Sequence, residues 1–210
     1  MIARFWPVDG VVGENGAFYM RYDRVRCRMK VHHILNEETR RENRKKLDQL
    51  AREILIEVPG CALASDQAYR VADLAIDFCE DVPPLQQASI EEIAGRFFAA
   101  GAQAKVSSIH VNGWFGDYDK LTTAKLFLQR EFNLREPDMQ RAVVYAGDSP
   151  NDGPMFAHFA LTVGVANVRR YEGAMHHMPR FITQSESGAG FSELAHHILQ
   201  QRGHAHVRAL

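Results

Sequence analysis

Arg141-Ala142-Val143-Val144-Tyr145-Ala146-Gly147-Asp148-Ser149-Pro150-Asn151-Asp152 decides the reading of the fold. Its first half has an unbroken apolar centre, Ala142 to Tyr145, the pattern of a parallel strand covered on both faces. Its second half opens on glycine and gathers two carboxylates and a carboxamide between Asp148 and Asp152. In an open parallel sheet the ligand site lies beyond the C-terminal ends of the strands. Hard oxygens at that place suit Mg²⁺, which takes a few protein oxygens and completes its shell with water and a substrate phosphate. Asp148, Ser149, Asn151 and Asp152 would serve equally well as an Asx-rich helix cap. The local context alone leaves both readings open.

Outward from this stretch, strands and helices alternate. A short helix runs to Phe159, strands are expected at Leu161 to Val165 and Arg180 to Thr183, and an amphipathic helix spans Phe191 to Gln201. Gly203 to Leu210 reads as a frayed tail. Upstream, Val106 to Val111 reads as a strand and Gly113 to Gly116 as a turn. A helix then opens at Tyr118 or Asp119 and carries Leu121, Leu128 and Phe132. The alternation predicts an α/β protein with a doubly wound parallel core.

The N-terminal half is organised differently. Met1 to Trp6 reads as the end of a helix stopped by Pro7, followed by a strand from Val8 to Val12. The turn Gly13-Glu14-Asn15-Gly16 and the strand Ala17 to Met20 come next, and Arg24, Arg26 and Arg28 fall on one face of an edge strand. Asn36 is placed to cap a long helix to Glu57 with the stripe Leu47, Leu50, Ile54 and Leu55. Strands are expected at Cys61 to Ala64 and Tyr69 to Phe78. Ser89, with Glu92 as its capping-box partner, is expected to start a helix to Ala100. This helix-and-strand unit lies between two pieces of something else, which predicts a domain at 22–107 inserted into a core made of 1–21 and 108–210.

Composition sets outer bounds. The 210 residues are 46% hydrophobic and 24% charged, an ordinary globular balance. Lys plus Arg is 25 and Asp plus Glu is 26, a formal charge of −1, which gives no global pull toward nucleic acid or a membrane surface. No apolar run has membrane-spanning length. Cys27, Cys61 and Cys79 form no metal-binding spacing and are expected as reduced thiols of a cytoplasmic protein. The histidine pairs His32-His33, His176-His177 and His196-His197 point to alternate faces, which argues against paired metal ligands.

Four segments in order resemble the haloacid dehalogenase superfamily, in particular its sugar-phosphatase branch with an α/β cap. They are Val11-Val12-Gly13-Glu14-Asn15-Gly16-Ala17; Asp119-Lys120 at a helix start; Gly147-Asp148-Ser149-Pro150-Asn151-Asp152; and Phe181-Ile182-Thr183 with Gly188-Ala189-Gly190-Phe191. The resemblance implies Mg²⁺-dependent hydrolysis of a phosphate monoester, a sugar or sugar-acid phosphate, by a soluble protein that engages neither nucleic acid nor membrane. It assigns Asp148, Asn151 and Asp152 to the metal and Lys120 to the phosphoryl group. It gives Asn15, Gly16, Asp66, Arg70 and Ser149 to the substrate, with Asp73 beside Arg70 in the cap.

The sequence departs from the family at the nucleophile. The family's Asp-x-Asp pair ends a first strand ahead of the cap, and fewer residues precede 22 than a strand-helix-strand unit requires. The core is therefore expected to lack its first strands, and the chain to have little or no turnover alone. Asp117-Tyr118-Asp119 follows a turn instead of an apolar strand, and reads as an Asp-bearing loop. The alternative reading is a non-catalytic module that binds a phosphate ligand or a partner.

Overall fold

The computed structural model describes the backbone of residues 1–207 and the side chains through residue 201. The chain divides into two units, Met1–Asn133 and Leu134–Leu210.

The first unit opens with a helical turn, α1 (Ile2–Phe5). A meander follows, β1 (Val11–Gly13), β2 (Phe18–Asp23) and β3 (Arg28–His33), antiparallel in that order. A 3₁₀ turn, Glu14–Gly16, joins β1 to β2. Arg24 and Arg26 lie in the turn between β2 and β3, not on a strand face with Arg28. The Asp23 carboxylate accepts the Arg26 amide at 3.0 Å and its guanidinium at 3.1 Å, so a local side-chain bond bends a chain that reads as continuous.

The long helix α2 (Glu37–Glu57) starts as expected, with the Asn36 side chain accepting the Thr39 amide at 2.9 Å. Leu47, Leu50, Ala51 and Ile54 are its buried stripe, and Leu55 stands outside it. Four antiparallel strands pack beneath: β4 (Ala62–Leu63), β5 (Asp73–Asp77), β6 (Gln103–Val106) and β7 (His110–Trp114), ordered β4-β5-β7-β6. Between β5 and β6 the chain forms α3 (Gln87–Ala99), capped at Gln86. Ser89 therefore sits inside this helix, and Glu92 bonds Arg96 one turn on at 2.8 Å.

The expected strand Val106 to Val111 is instead a tight hairpin. Its turn is held by Ser107 Oγ, which donates to the His110 carbonyl and accepts the His110 amide, both at 2.9 Å. Gly113 lies within β7, where the Phe97 ring occupies the space a Cβ would need.

Strand alternation sorts this sheet into two faces. Leu74, Ile76 and Val111 join Leu47, Ile54, Ile93 and Phe97 in the main core. Asp73, Asp77, His110 and Asn112, all buried, belong to the opposite face. The unit ends with α4 (Lys120–Phe132), whose N-cap Asp119 accepts the Thr122 amide at 2.7 Å.

The second unit is built on a parallel sheet, as the alternation predicted. Its elements are α5 (Glu136–Ala142), β8 (Val144–Gly147), α6 (Gly153–His158), β9 (Leu161–Gly164), β10 (Phe181–Ile182) and α7 (Ser187–Val207). The order is β10-β9-β8, with Tyr145 in register with Thr162. Arg141 and Ala142 finish α5 instead of starting the strand, and β8 lies at the sheet's edge with Val144 42% exposed. Coverage of β8 on both faces is thus not found among the described residues. Helix α7 continues through the start of the expected tail, and residues 208–210 lie outside the described ones. No described helix is long and apolar enough to cross a membrane, and all three cysteines are free.

Candidate functional site

In the second unit the chemistry-bearing turn begins where β8 ends. Gly147 is required there, since a Cβ would come within 2.6 Å of Asp152 Oδ2. Asp152 is buried in the 3₁₀ turn Pro150–Asp152. Its Oδ2 accepts the amides of Asp148 at 2.9 Å and Ser149 at 3.3 Å, and its Oδ1 accepts the Tyr145 hydroxyl at 2.5 Å. Burial, reinforced by the adjoining Asp152 charge, pushes the Tyr145 phenol well above its usual range, so it remains a donor. Ser149 is buried and donates from Oγ to Asn151 Oδ1 at 2.7 Å.

Asp148 is exposed at the strand's C-terminal end and Asn151 is half-buried. The cap reading of this turn thus falls to Asp152 and Ser149. The Asp148 carboxylate and the Asn151 side-chain carbonyl, which already accepts the Ser149 hydroxyl, are hard oxygens of the kind Mg²⁺ takes. Among the described residues no three His, Cys, Asp or Glu side chains gather in metal-binding geometry. Mg²⁺ asks for only one or two carboxylates when water and a substrate phosphate complete its shell.

In the first unit a polar cleft of about 390 Å³ gathers Asn15, Asp66 and Arg70 with Glu14, Asp73 and Asn112. Asn15 sits in the left-handed region (φ 56°) and donates from Nδ2 to Asp73 Oδ2 at 3.0 Å. The Glu14 carboxylate accepts the amides of Val71, Ala72 and Asp73, the shortest at 2.6 Å, and so ties the turn to the start of β5. Arg70 is fully engaged. It makes a two-pronged pair with Asp66 at 2.8 and 3.0 Å, reaches Asp73 at 3.1 Å and donates to Asn112 Oδ1 at 3.3 Å. Burial works against the Arg70 charge, but Asp66 and Asp73 outweigh it and hold the pKa above the usual value. Burial likewise raises the Asp73 carboxyl, with Arg70 pulling it back.

Gly16 and Lys120 belong to the same unit. Gly16 has φ 101°, and a Cβ there would collide with the Asp119 carbonyl. Thr123 Oγ1 donates to the Gly16 carbonyl at 2.6 Å, which anchors the Asn15 turn on the first turn of α4, where Lys120 stands half-buried. Of the lone Asp-x-Asp, Asp119 is occupied as the α4 cap and Asp117 is exposed.

Sequence reasoning did not find Glu14 and Asn112. Glu14 adjoins Asn15 in a turn, the only local signal it carries. Asn112 is placed beside Arg70 by the pairing of Ala75 with Asn112, a register that a single strand does not disclose. A more apolar cavity of about 450 Å³ in the second unit, lined by Val144, Phe181, Leu194 and Ile198 among others, contains none of the expected site residues.

No protein-family model matches the sequence, and no curated protein matches it. Solved structures do. The chain is similar to protein 0175 of Thermoplasma acidophilum, with a TM-score of 0.63 at 15% identity over 93% of this chain and 75% of that one. It is similar to the sucrose-phosphatase of Synechocystis, solved with sucrose and phosphate, with a TM-score of 0.57 at 15% identity over 90% and 73%. A sugar phosphatase of haloacid dehalogenase subclass IIB gives 0.56 at 13% identity over 91% and 76%. The chain has the α/β fold of the haloacid dehalogenase superfamily, as the order of its motifs implied.

Proposed function

We propose that the chain is a Mg²⁺-dependent phosphohydrolase of the haloacid dehalogenase type, acting in the cytoplasm on a phosphate monoester of the sugar or sugar-acid class. One observation carries the reading. Asp152 commits both carboxylate oxygens to the amides of Asp148 and Ser149 and to the Tyr145 hydroxyl, which fixes the turn with Asp148 exposed at the strand's C-terminal end. In this reading Asp148 and Asn151 hold the metal, and Asp152 orients the loop that carries them. The metal supplies positive charge for the phosphoryl oxygens. Lys120 balances further phosphoryl charge, and Asp119 sets its place by capping α4.

Ser149 and the Asn15-Gly16 turn meet the substrate, and the segment 22–107, with Asp66 and Arg70, is proposed as the cap over its organic part. The family's reaction passes through an aspartyl-phosphate formed by an Asp-x-Asp pair. No segment of this sequence matches that pair in its strand context, so the proposed turnover of this chain alone is little or none. The similarity in fold to two sugar phosphatases supports the assignment.

The test is a Mg²⁺ titration of the chain with inorganic phosphate present, followed by the backbone amide resonances. Saturable shifts at Gly147 to Asp152 that vanish in Asp148→Asn are expected. No saturable response there overturns the metal site and leaves the non-catalytic module as the reading.

A further inference from the structure

Two exposed features of the first unit, one apolar and one basic, meet at the same end of the β1-β2-β3 meander. The apolar one is α1, which is seated on β2 through the buried Ala3. Ile2, Phe5 and Trp6 fall at i, i+3 and i+4, so they share the other side of that turn. All three are exposed, Phe5 at 66% and Trp6 at 60%. Apolar side chains gathered at one place on a surface mark a site of contact.

The basic feature is the turn between β2 and β3. Arg24 and Arg26 flank Val25, which is 95% exposed, and Arg28 follows two residues on. Asp23 answers Arg26 at 3.1 Å and Lys30 at 3.5 Å. No hydrogen bond or ion pair engages the guanidinium of Arg24 or Arg28 among the described residues.

Two contacts join the features. The Arg4 guanidinium of α1 lies 5.4 Å from the centre of the Tyr22 ring on β2. A cavity of about 370 Å³ is lined by Val8 and Asp9, just after α1, together with Tyr22, Arg24 and Val25. Residues 1–9 and 23–30 carry five bases against two acids, an excess that the formal charge of −1 for the whole chain conceals.

The chemistry of the patch selects its partner. A second copy related by a two-fold axis would set these arginines against their own kind. Single-stranded nucleic acid stacks its bases on aromatic rings along a basic groove, and Ile2 and Val25 have no ring to offer. An anionic bilayer answers both features. Tryptophan settles at the headgroup level, aliphatic side chains reach the acyl boundary, and arginine lays its stem along apolar surface while its charge stays among the phosphates.

We propose that this end of the first unit docks on an anionic lipid bilayer, with Phe5, Trp6 and Val25 entering the interface and Arg24 and Arg28 meeting the headgroups. The inference departs from the expectation of a chain that engages no membrane. It goes beyond the phosphohydrolase reading and uses none of the residues that reading assigns.

The experiment mixes the full chain with vesicles of phosphatidylcholine, alone or with phosphatidylserine at about one lipid in four. Sedimentation and tryptophan emission are recorded. The other tryptophan, Trp114, is 3% exposed and donates from Nε1 to the Tyr118 carbonyl at 3.2 Å, so Trp6 is the reporter. Sedimentation and a blue shift are expected with the anionic vesicles, and neither with phosphatidylcholine alone. High salt should release the chain, because screening shortens the reach of the exposed charges. Trp6→Phe should lose the shift and stay bound. Arg24→Ala combined with Arg28→Ala, both exposed, should fold like the parent and weaken binding about tenfold or more, at about fivefold for each cation near the surface.

The proposal is overturned if the chain stays in solution with anionic vesicles, if it binds neutral ones as well, if the shift persists in Trp6→Phe, or if the double variant binds like the parent. Tighter binding to a single-stranded oligonucleotide would give the surface to nucleic acid instead. A dimer that Trp6→Ala dissociates would give it to a second copy. Mg²⁺ uptake by the chain is measured separately, and its failure would sink the phosphohydrolase reading alone.

Discussion

The Asp152 carboxylate accepts the Asp148 backbone amide at 2.9 Å, so one acid of the turn holds the other in place. Two residues of the same type four positions apart thereby differ in task. Asp148→Asn should change stability by no more than about 0.5 kcal/mol, as exposed substitutions do, while abolishing Mg²⁺ uptake. Asp152→Asn should cost about 1–3 kcal/mol, because an amide turned toward these three donors leaves at least one of them buried and unsatisfied. Urea unfolding of both variants with a parallel Mg²⁺ titration checks the division. Equal losses of stability would contradict it.

Gly16 offers a second test. Its positive φ and its contact with the Asp119 carbonyl leave no room for a Cβ. Gly16→Ala should destabilise the first unit by about 1–3 kcal/mol, the usual cost of such backbone strain. It should also shift the Asn15 side-chain amide, which the turn delivers to Asp73. A variant as stable as the parent would show that the turn relaxes freely.

Asp119 separates a helix cap from a catalytic acid. Asp119→Asn keeps an oxygen for the Thr122 amide and should retain the parent's stability, whereas Asp119→Ala should lose about 1 kcal/mol. The parent and both variants should release little or no phosphate from a generic phosphate monoester with Mg²⁺. Strong release abolished by Asp117→Asn would move the nucleophile into this loop.

Asp77 sets a pH dependence. It is buried at the end of β5, and burial opposes its charge, but the amides of Cys79, Glu80 and Asp81 at 2.8–2.9 Å outweigh that and hold its pKa below the ordinary carboxylate value. The folded state therefore takes up this proton less readily than the unfolded chain. Its stabilisation is complete above the ordinary carboxylate pKa and is lost as pH falls through the lower, folded value. Asp77→Asn should lower stability at neutral pH and flatten the acid limb of a stability–pH curve recorded by urea unfolding. An unchanged limb would refute the assignment.

The features legible in the sequence were those written in local chemistry. Asn36 caps the helix it was expected to cap, and of Tyr118 and Asp119, the two residues expected to open the next one, Asp119 is its cap, because a side chain that accepts an amide three residues on needs nothing from the rest of the fold. The parallel sheet and the glycine-led turn after β8 were legible for the same reason. Ser89 imitated a capping box, yet the helix starts at Gln87 and carries Ile90, Ile93 and Phe97 into the core. The hairpin at Ser107 to Ile109 has neither glycine nor proline to announce it. Arg70 stood out by its charge, but its exhaustion by Asp66, Asp73 and Asn112 depends on strand register and could not be read along the chain.

The two faces of the sheet formed by β5 and β7 have one further consequence. Leu74, Ile76 and Val111 are locked against two helices, and Gly113 is held to hydrogen by the Phe97 ring. Asp73 and Asn112 alternate with them on the same strands but share none of that packing. The polar positions can therefore change through mutation while the packed face keeps the scaffold under constraint. Divergence in this unit is open on one side of the sheet and closed on the other.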